Sequence, residues 1–171
     1  MDAYLIALRI VHIGAAVFWA GSALLFFFFI EPTVKAIGPA GGQFMGHAIG
    51  TRKMPMYITA AATLTVLGGA LLYWEASAGF DLDWVTSATG LGFTVGAVAA
   101  IIAWILGLVV VAPSVKAMGS LGAEIQASGG PPSEAQAAEM ERLDRRLKGI
   151  GRLDTVLIIL AVLTMATARY L

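Results

Sequence analysis

The chain has 171 residues, 58% of them hydrophobic and 13% charged, and its eleven lysines and arginines balance eleven aspartates and glutamates. Soluble domains carry about a quarter charged residues, so this composition excludes an ordinary soluble fold and points to an integral membrane protein. Zero net charge without a basic tract leaves nothing to neutralise phosphates, which excludes nucleic acid as a partner, and the absence of cysteine excludes disulfides, zinc-thiolate sites, iron–sulfur clusters and thioether-attached haem.

The first apolar run extends from Tyr4 to Ile30, longer than the roughly 20 residues a bilayer core requires. It is expected to be retained as a span rather than removed as a signal peptide. It begins Met1-Asp2 without a basic stretch and runs on through Phe26-Phe27-Phe28-Phe29. Three further spans are read at Met54 to Trp74, Gly90 to Ala112 and Leu153 to Leu171. Each should be a helix, because only internal hydrogen bonding satisfies the backbone in lipid.

Lysine and arginine lie almost entirely in two of the connections. Lys35, Arg52 and Lys53 separate spans one and two, and Lys116, Arg142, Arg145, Arg146, Lys148 and Arg152 separate spans three and four. The second connection carries Glu75, Asp81 and Asp83, flanked by Trp74 and Trp84 as interfacial anchors. The asymmetry predicts cytoplasmic basic loops, with both termini and the acidic connection outside. In the longer basic loop, Gly129-Gly130-Pro131-Pro132 breaks any helix, and Ser133 with Gln136 has capping-box spacing. An amphipathic cytoplasmic helix is expected over about 133–149. Met140, Leu143, Leu147 and Ile150 form its apolar face, with Glu141/Arg145 and Asp144/Lys148 as i,i+4 pairs. It either lies on the membrane surface or extends span four.

Pro32-Thr33-Val34-Lys35-Ala36-Ile37-Gly38 after span one matches Pro113-Ser114-Val115-Lys116-Ala117-Met118-Gly119 after span three. A weaker pattern relates Leu64–Ala70 to Leu160–Ala166. These matches predict an all-α, integral membrane four-helix bundle, a single domain over 1–171, built from two tandem helical hairpins related by an axis along the membrane normal. Small residues at four-residue spacing, Gly92, Gly96 and Ala100 on span three and Ala61, Thr65 and Gly69 on span two, allow close helix approach.

Few polar groups lie within the spans, and those few carry most of the chemistry. Leu5, Arg9, His12, Ala16, Trp19 and Ala23 share one stripe of a 3.6-residue helix. Imidazole and guanidinium are costly in hydrocarbon, so the stripe should face the bundle, with His12 roughly 12 Å from the outer end of span one. Thr65 or Thr164 is placed to orient the imidazole. Met165, about 18 Å along span four, should match His12 in depth. A thioether beside an imidazole suits haem iron or copper, although methionine also fills core gaps. Arg9 is placed either to pair with a haem propionate or to snorkel to the interface. His47, in the glycine-rich loop Gly41–Gly50, should be solvated, and Met54 and Met56 read first as helix entry and interfacial packing. No Ser/His/Asp set, Walker loop or HExxH motif occurs.

The order His12, six residues, Trp19, one residue, Gly21, then an apolar run to Pro32, resembles the first helix of CopD-like four-span bacterial membrane proteins and of HemJ-type membrane protoporphyrinogen oxidases. The resemblance is clearest over roughly the first 35 residues. It implies a bacterial inner-membrane protein with His12 as a haem or copper ligand. HemJ-type proteins also have a lysine in the third span, and Gly90 to Ala112 has none, so His12 alone carries over. Three functions follow: a b-type haem protein in electron transfer or porphyrin handling, a copper-handling protein, and a non-catalytic subunit or assembly factor. A homodimer or a partner in a membrane complex would supply any missing ligand.

Overall fold

In hydrocarbon each segment must satisfy its own backbone, and the apolar runs accordingly form long helices. The computed structural model describes residues 3–171; Met1 and Asp2 lie outside them. Four helices are long and apolar enough to cross a bilayer: α1 (Ala3–Ala36), α3 (Met54–Ala76), α5 (Ala88–Ser128) and α6 (Glu134–Tyr170). Two short helices, α2 (Pro39–Gly46) and α4 (Leu82–Thr86), lie in the connections. No strand occurs among the described residues. The chain is an all-α, multi-pass membrane protein folded as a four-helix bundle.

α1 pairs with α3 and α5 pairs with α6, and the two pairs meet mainly through α3 and α5, with lighter contact between α1 and α6. One residue or two from each long helix builds the shared core: Trp19, Ala61, Ala62, Ala103 and Ile158. Alanines on α3 and α5 leave the volume that the Trp19 indole and the Ile158 side chain fill. With no apolar driving force between helices in lipid, such close packing and interhelical hydrogen bonds hold the bundle. The Trp104 indole donates to the Thr63 hydroxyl at 3.1 Å. Tyr73 and Thr94 hydroxyls lie 2.6 Å apart, and Thr94 also donates to the Gly90 carbonyl, so the phenol supplies the proton between them. Gly92 and Gly96 bring α5 against α6. A Cβ at Gly96 would lie 2.7 Å from both Met165 Cγ and Thr164 Oγ1, and one at Gly92 would lie 2.9 Å from Ala168 Cβ.

Span three was expected to end at Ala112, yet its helix continues through Pro113 to Ser128. A proline inside a helix lacks an amide and clashes with the carbonyl four residues back. Here a wider π turn, Gly107–Val111, precedes it, and the Ala112 amide bonds the Gly107 carbonyl five residues back. α1 passes Pro32 in the same way, through the π turn Phe26–Ile30 and an amide bond from Glu31 to Phe26. Such turns are an established way to absorb a kink without ending a helix.

The Ser133 and Gln136 capping box is present, and α6 then runs unbroken into the fourth span. The amphipathic segment extends that span rather than lying flat on the membrane: Leu143 is 3% exposed, and α6 packs along the distal part of α5. α5 and α6 therefore project together beyond the end of the bundle that carries the basic loops, called here the basic end. Glu141–Arg145 and Asp144–Lys148 pair as anticipated. Lys35 of α1, already paired with Glu31, also reaches Asp144 at 3.4 Å, which ties the two hairpins together. Partial burial pushes the Asp144 carboxyl up, but Lys148 and Lys35 outweigh it and hold the group below the ordinary carboxylate range. A depressed carboxyl stabilises the fold above that range, and its contribution is lost as pH falls through the lowered value.

At the opposite, acidic end, Trp74 and Trp84 join a cluster with Tyr73, Phe80 and Phe93. Trp84 stands edge-on to Tyr73 at 5.4 Å between centroids and stacks on Phe93 at 6.3 Å. The Asp81 carboxylate caps α4 by accepting from the Trp84 amide at 2.9 Å.

Candidate functional site

His12 is the one imidazole within a span. It packs in the half of the bundle nearer the acidic end, half-buried against α3. Its Nδ1 lies 2.8 Å from the main-chain carbonyl oxygen of Thr65. A carbonyl oxygen only accepts, so Nδ1 carries the hydrogen and Nε2 of the neutral ring keeps its lone pair. The sequence suggested a threonine hydroxyl as the orienting group. The structure uses the Thr65 main chain instead, and the Thr65 hydroxyl turns back along its own helix, donating to the Ala61 carbonyl at 2.8 Å.

The ring reaches that carbonyl because α3 presents two glycines to it. A Cβ at Gly69 would lie 2.9 Å from His12 Cε1 and 3.2 Å from Nδ1, and one at Gly68 would lie 3.3 Å from His12 Cβ. Gly68 and Gly69 thus form a flat seat on which the imidazole lies. Gly69 had been read only as part of a packing stripe. Its depth opposite His12 is the signal that a count along both helices could have used.

The rest of the stripe separates into different roles. Trp19 is 7% exposed and belongs to the common core, a packing position one helical repeat inward from His12. Arg9 is exposed, consistent with a snorkelling cation at the outer interface. The lipid-side face of α1 carries Ile10, Val11, Ile13, Val17 and Phe18, all exposed. Together with α3 it leaves a shallow apolar groove floored by Gly14, Ala15 and Ala61, on a different face of α1 from the imidazole.

Met165 is half-buried and covers Gly96 of α5, whereas the contacts of His12 described above are all on α3. The two residues pack on different neighbours. His47 is exposed within the π turn His47–Thr51 at the basic end, and Met56 is exposed beside it. Among the described residues no three His, Asp or Glu side chains gather as a metal-binding group.

The chain matches no family model, no curated protein and no solved structure.

One polar residue escaped the sequence reading. Asp154 is the only carboxylate inside any of the four predicted spans. It follows Leu147 and Ile150 on the face of α6 that continues into Ile158 and Ala161. Its Oδ1 is buried without a hydrogen-bond partner among the described residues. An intramembrane carboxylate is a functional candidate by default, and its singularity in the spans was the available signal.

Proposed function

We propose that this chain is a bacterial inner-membrane protein that holds a b-type haem through His12 Nε2 and serves electron transfer or porphyrin handling. The observation that supports this most directly is the Nδ1 hydrogen bond to the Thr65 carbonyl, which aligns the ring and, in the neutral imidazole, assigns the lone pair to Nε2. Metal-ligating histidines almost always donate their other nitrogen to a carbonyl or carboxylate in this way. The α1 donor fits haem: an imidazole whose Nδ1 is engaged by a main-chain carbonyl and whose other nitrogen would bind iron. Bound haem would supply one-electron chemistry. A second ligand would come from Met165, from a second copy of the chain or from a partner subunit, and Arg9 would pair with a propionate. The first-helix resemblance to CopD-like and HemJ-type proteins supports the same assignment. The matched heptads, each preceded by a π turn, support descent of the two hairpins from one duplicated unit.

A second reading treats His12 as an interhelical clamp in a non-catalytic subunit. It is favoured by the fact that the Thr65 bond and the glycine seat already account for the ring's position. An absorption spectrum with metal analysis of detergent-purified protein separates the readings. A Soret band is expected. Copper without that band would move the chain to copper handling, and neither would leave the clamp.

The proposed orientation places the basic end in the cytoplasm and both termini outside, because all of the eleven lysines and arginines except Arg9 and Arg169 lie towards that end. In this cysteine-free chain, Asp83→Cys should react with an impermeant maleimide on intact cells, and Ser128→Cys only after permeabilisation. The reverse pattern would invert the topology.

A further inference from the structure

We propose that Asp154 is a proton-binding site in the basic half of the bundle. The proposal is independent of any cofactor at His12.

Asp154 is the second residue of the fourth span, with Oδ1 closed off from solvent and without a hydrogen-bond partner among the described residues. None of the ion pairs among those residues includes it. The elements packed against α6 are α5 with its π turn and, more lightly, α1 with its π turn. On α5 the titratable groups are Lys116 and Glu124, both exposed beyond Pro113. On α1, Glu31 and Lys35 are committed to the Asp144 network, and Arg9 and His12 lie in the other half of the bundle. On α6 itself Arg146 and Arg152 are exposed and Lys148 is held by Asp144. None of these cations forms an ion pair with Asp154 among the described residues.

An unpaired carboxylate removed from water is far costlier than the neutral acid, and a group so placed takes up a proton instead. The nearby hydroxyl of Thr155 does not relieve it, since it donates to the Gly151 carbonyl at 2.8 Å. The ligand class is the proton rather than a metal ion, because no three His, Asp or Glu side chains gather anywhere among the described residues. The residue is only half-buried and sits near the basic end, which gives the proton a short route to that side. Loss of the proton would place a bare charge against the α5 contact, so occupancy and helix packing are linked.

Infrared spectroscopy of the full chain in lipid, titrated from pH 8 down to pH 6 with carboxyl-labelled aspartate, tests this. The expected result is a carboxylic acid C=O band that shifts with the label and on deuterium exchange, disappears in Asp154→Asn and survives in Asp144→Asn. Asp154→Asn, which mimics the neutral acid, should keep its helicity and melting temperature. Absence of any label-sensitive acid band in the wild-type protein overturns the proposal without recourse to a variant, as does a band that persists in Asp154→Asn or vanishes in Asp144→Asn.

Discussion

His12→Ala is expected to abolish the Soret band while leaving insertion, helicity and oligomeric behaviour intact. The imidazole is the only one within a span, and with Nδ1–H donated to the Thr65 carbonyl the neutral ring has its lone pair on Nε2. Removing it deletes the proposed iron ligand outright. The structural cost is small by comparison. An interhelical hydrogen bond in a membrane bundle contributes about 0.6 kcal/mol, up to about 1.7, against a typical folding stability of about 5–15 kcal/mol. Thr65 retains its place within α3, and Trp19 still locks α1 into the core shared by all four long helices. A lost band accompanied by unchanged circular dichroism would therefore report ligation and not unfolding. His47→Ala, at the exposed basic end, should leave the spectrum unaltered. A wild-type Soret band that persists unchanged in His12→Ala would refute the ligand assignment.

Gly69→Leu should be nearly as damaging to the site although it leaves every candidate ligand in place. Even the first added carbon would lie 2.9 Å from His12 Cε1, inside van der Waals contact, so the ring must swing from its seat and surrender the Thr65 carbonyl. The remaining leucine atoms would press α1 away from α3. Overpacking of this kind costs about 1–3 kcal/mol, added to the lost hydrogen bond. The expected outcome is a lower melting temperature in detergent together with a weakened or shifted Soret band. Gly14→Leu is the matched control: it changes a glycine to leucine on the opposing helix, where an added Cβ meets nothing within 4 Å. Equal tolerance of the two substitutions would show that the glycine seat does not hold His12. Under the clamp reading, Gly69→Leu still destabilises the bundle but has no spectrum to perturb, so the two measurements together discriminate the functions.

The contrast between Gly69 and Gly14 shows where sequence reading reaches its limit. Both are span glycines, and composition treats them alike. Only the packing of α1 on α3 places one under an imidazole and the other beside lipid. Met165 illustrates the same point, since its depth could be counted along span four but its direction towards Gly96 could not. The apolar run ends at Ala112, yet the helix continues past Pro113, and the π turn that lets it do so has no local signature in the apolar run Gly107–Val111.

What the sequence determined by itself was governed by the solvent and by short-range chemistry. Apolar runs of sufficient length must become helices in hydrocarbon, charge asymmetry separates the two ends, and Ser133 with Gln136 starts α6 because a capping box needs only neighbouring residues. What only the tertiary structure decided was governed by contacts across helices. The choice of the Thr65 carbonyl over its hydroxyl, the imidazole seat at Gly68 and Gly69, the Lys35 bridge to Asp144 and the closed surroundings of Asp154 Oδ1 all depend on main-chain atoms and interhelical spacing. Every residue carries the same main chain, so its role as a partner leaves no trace in the order of side chains, and spacing is set only when two helices have met.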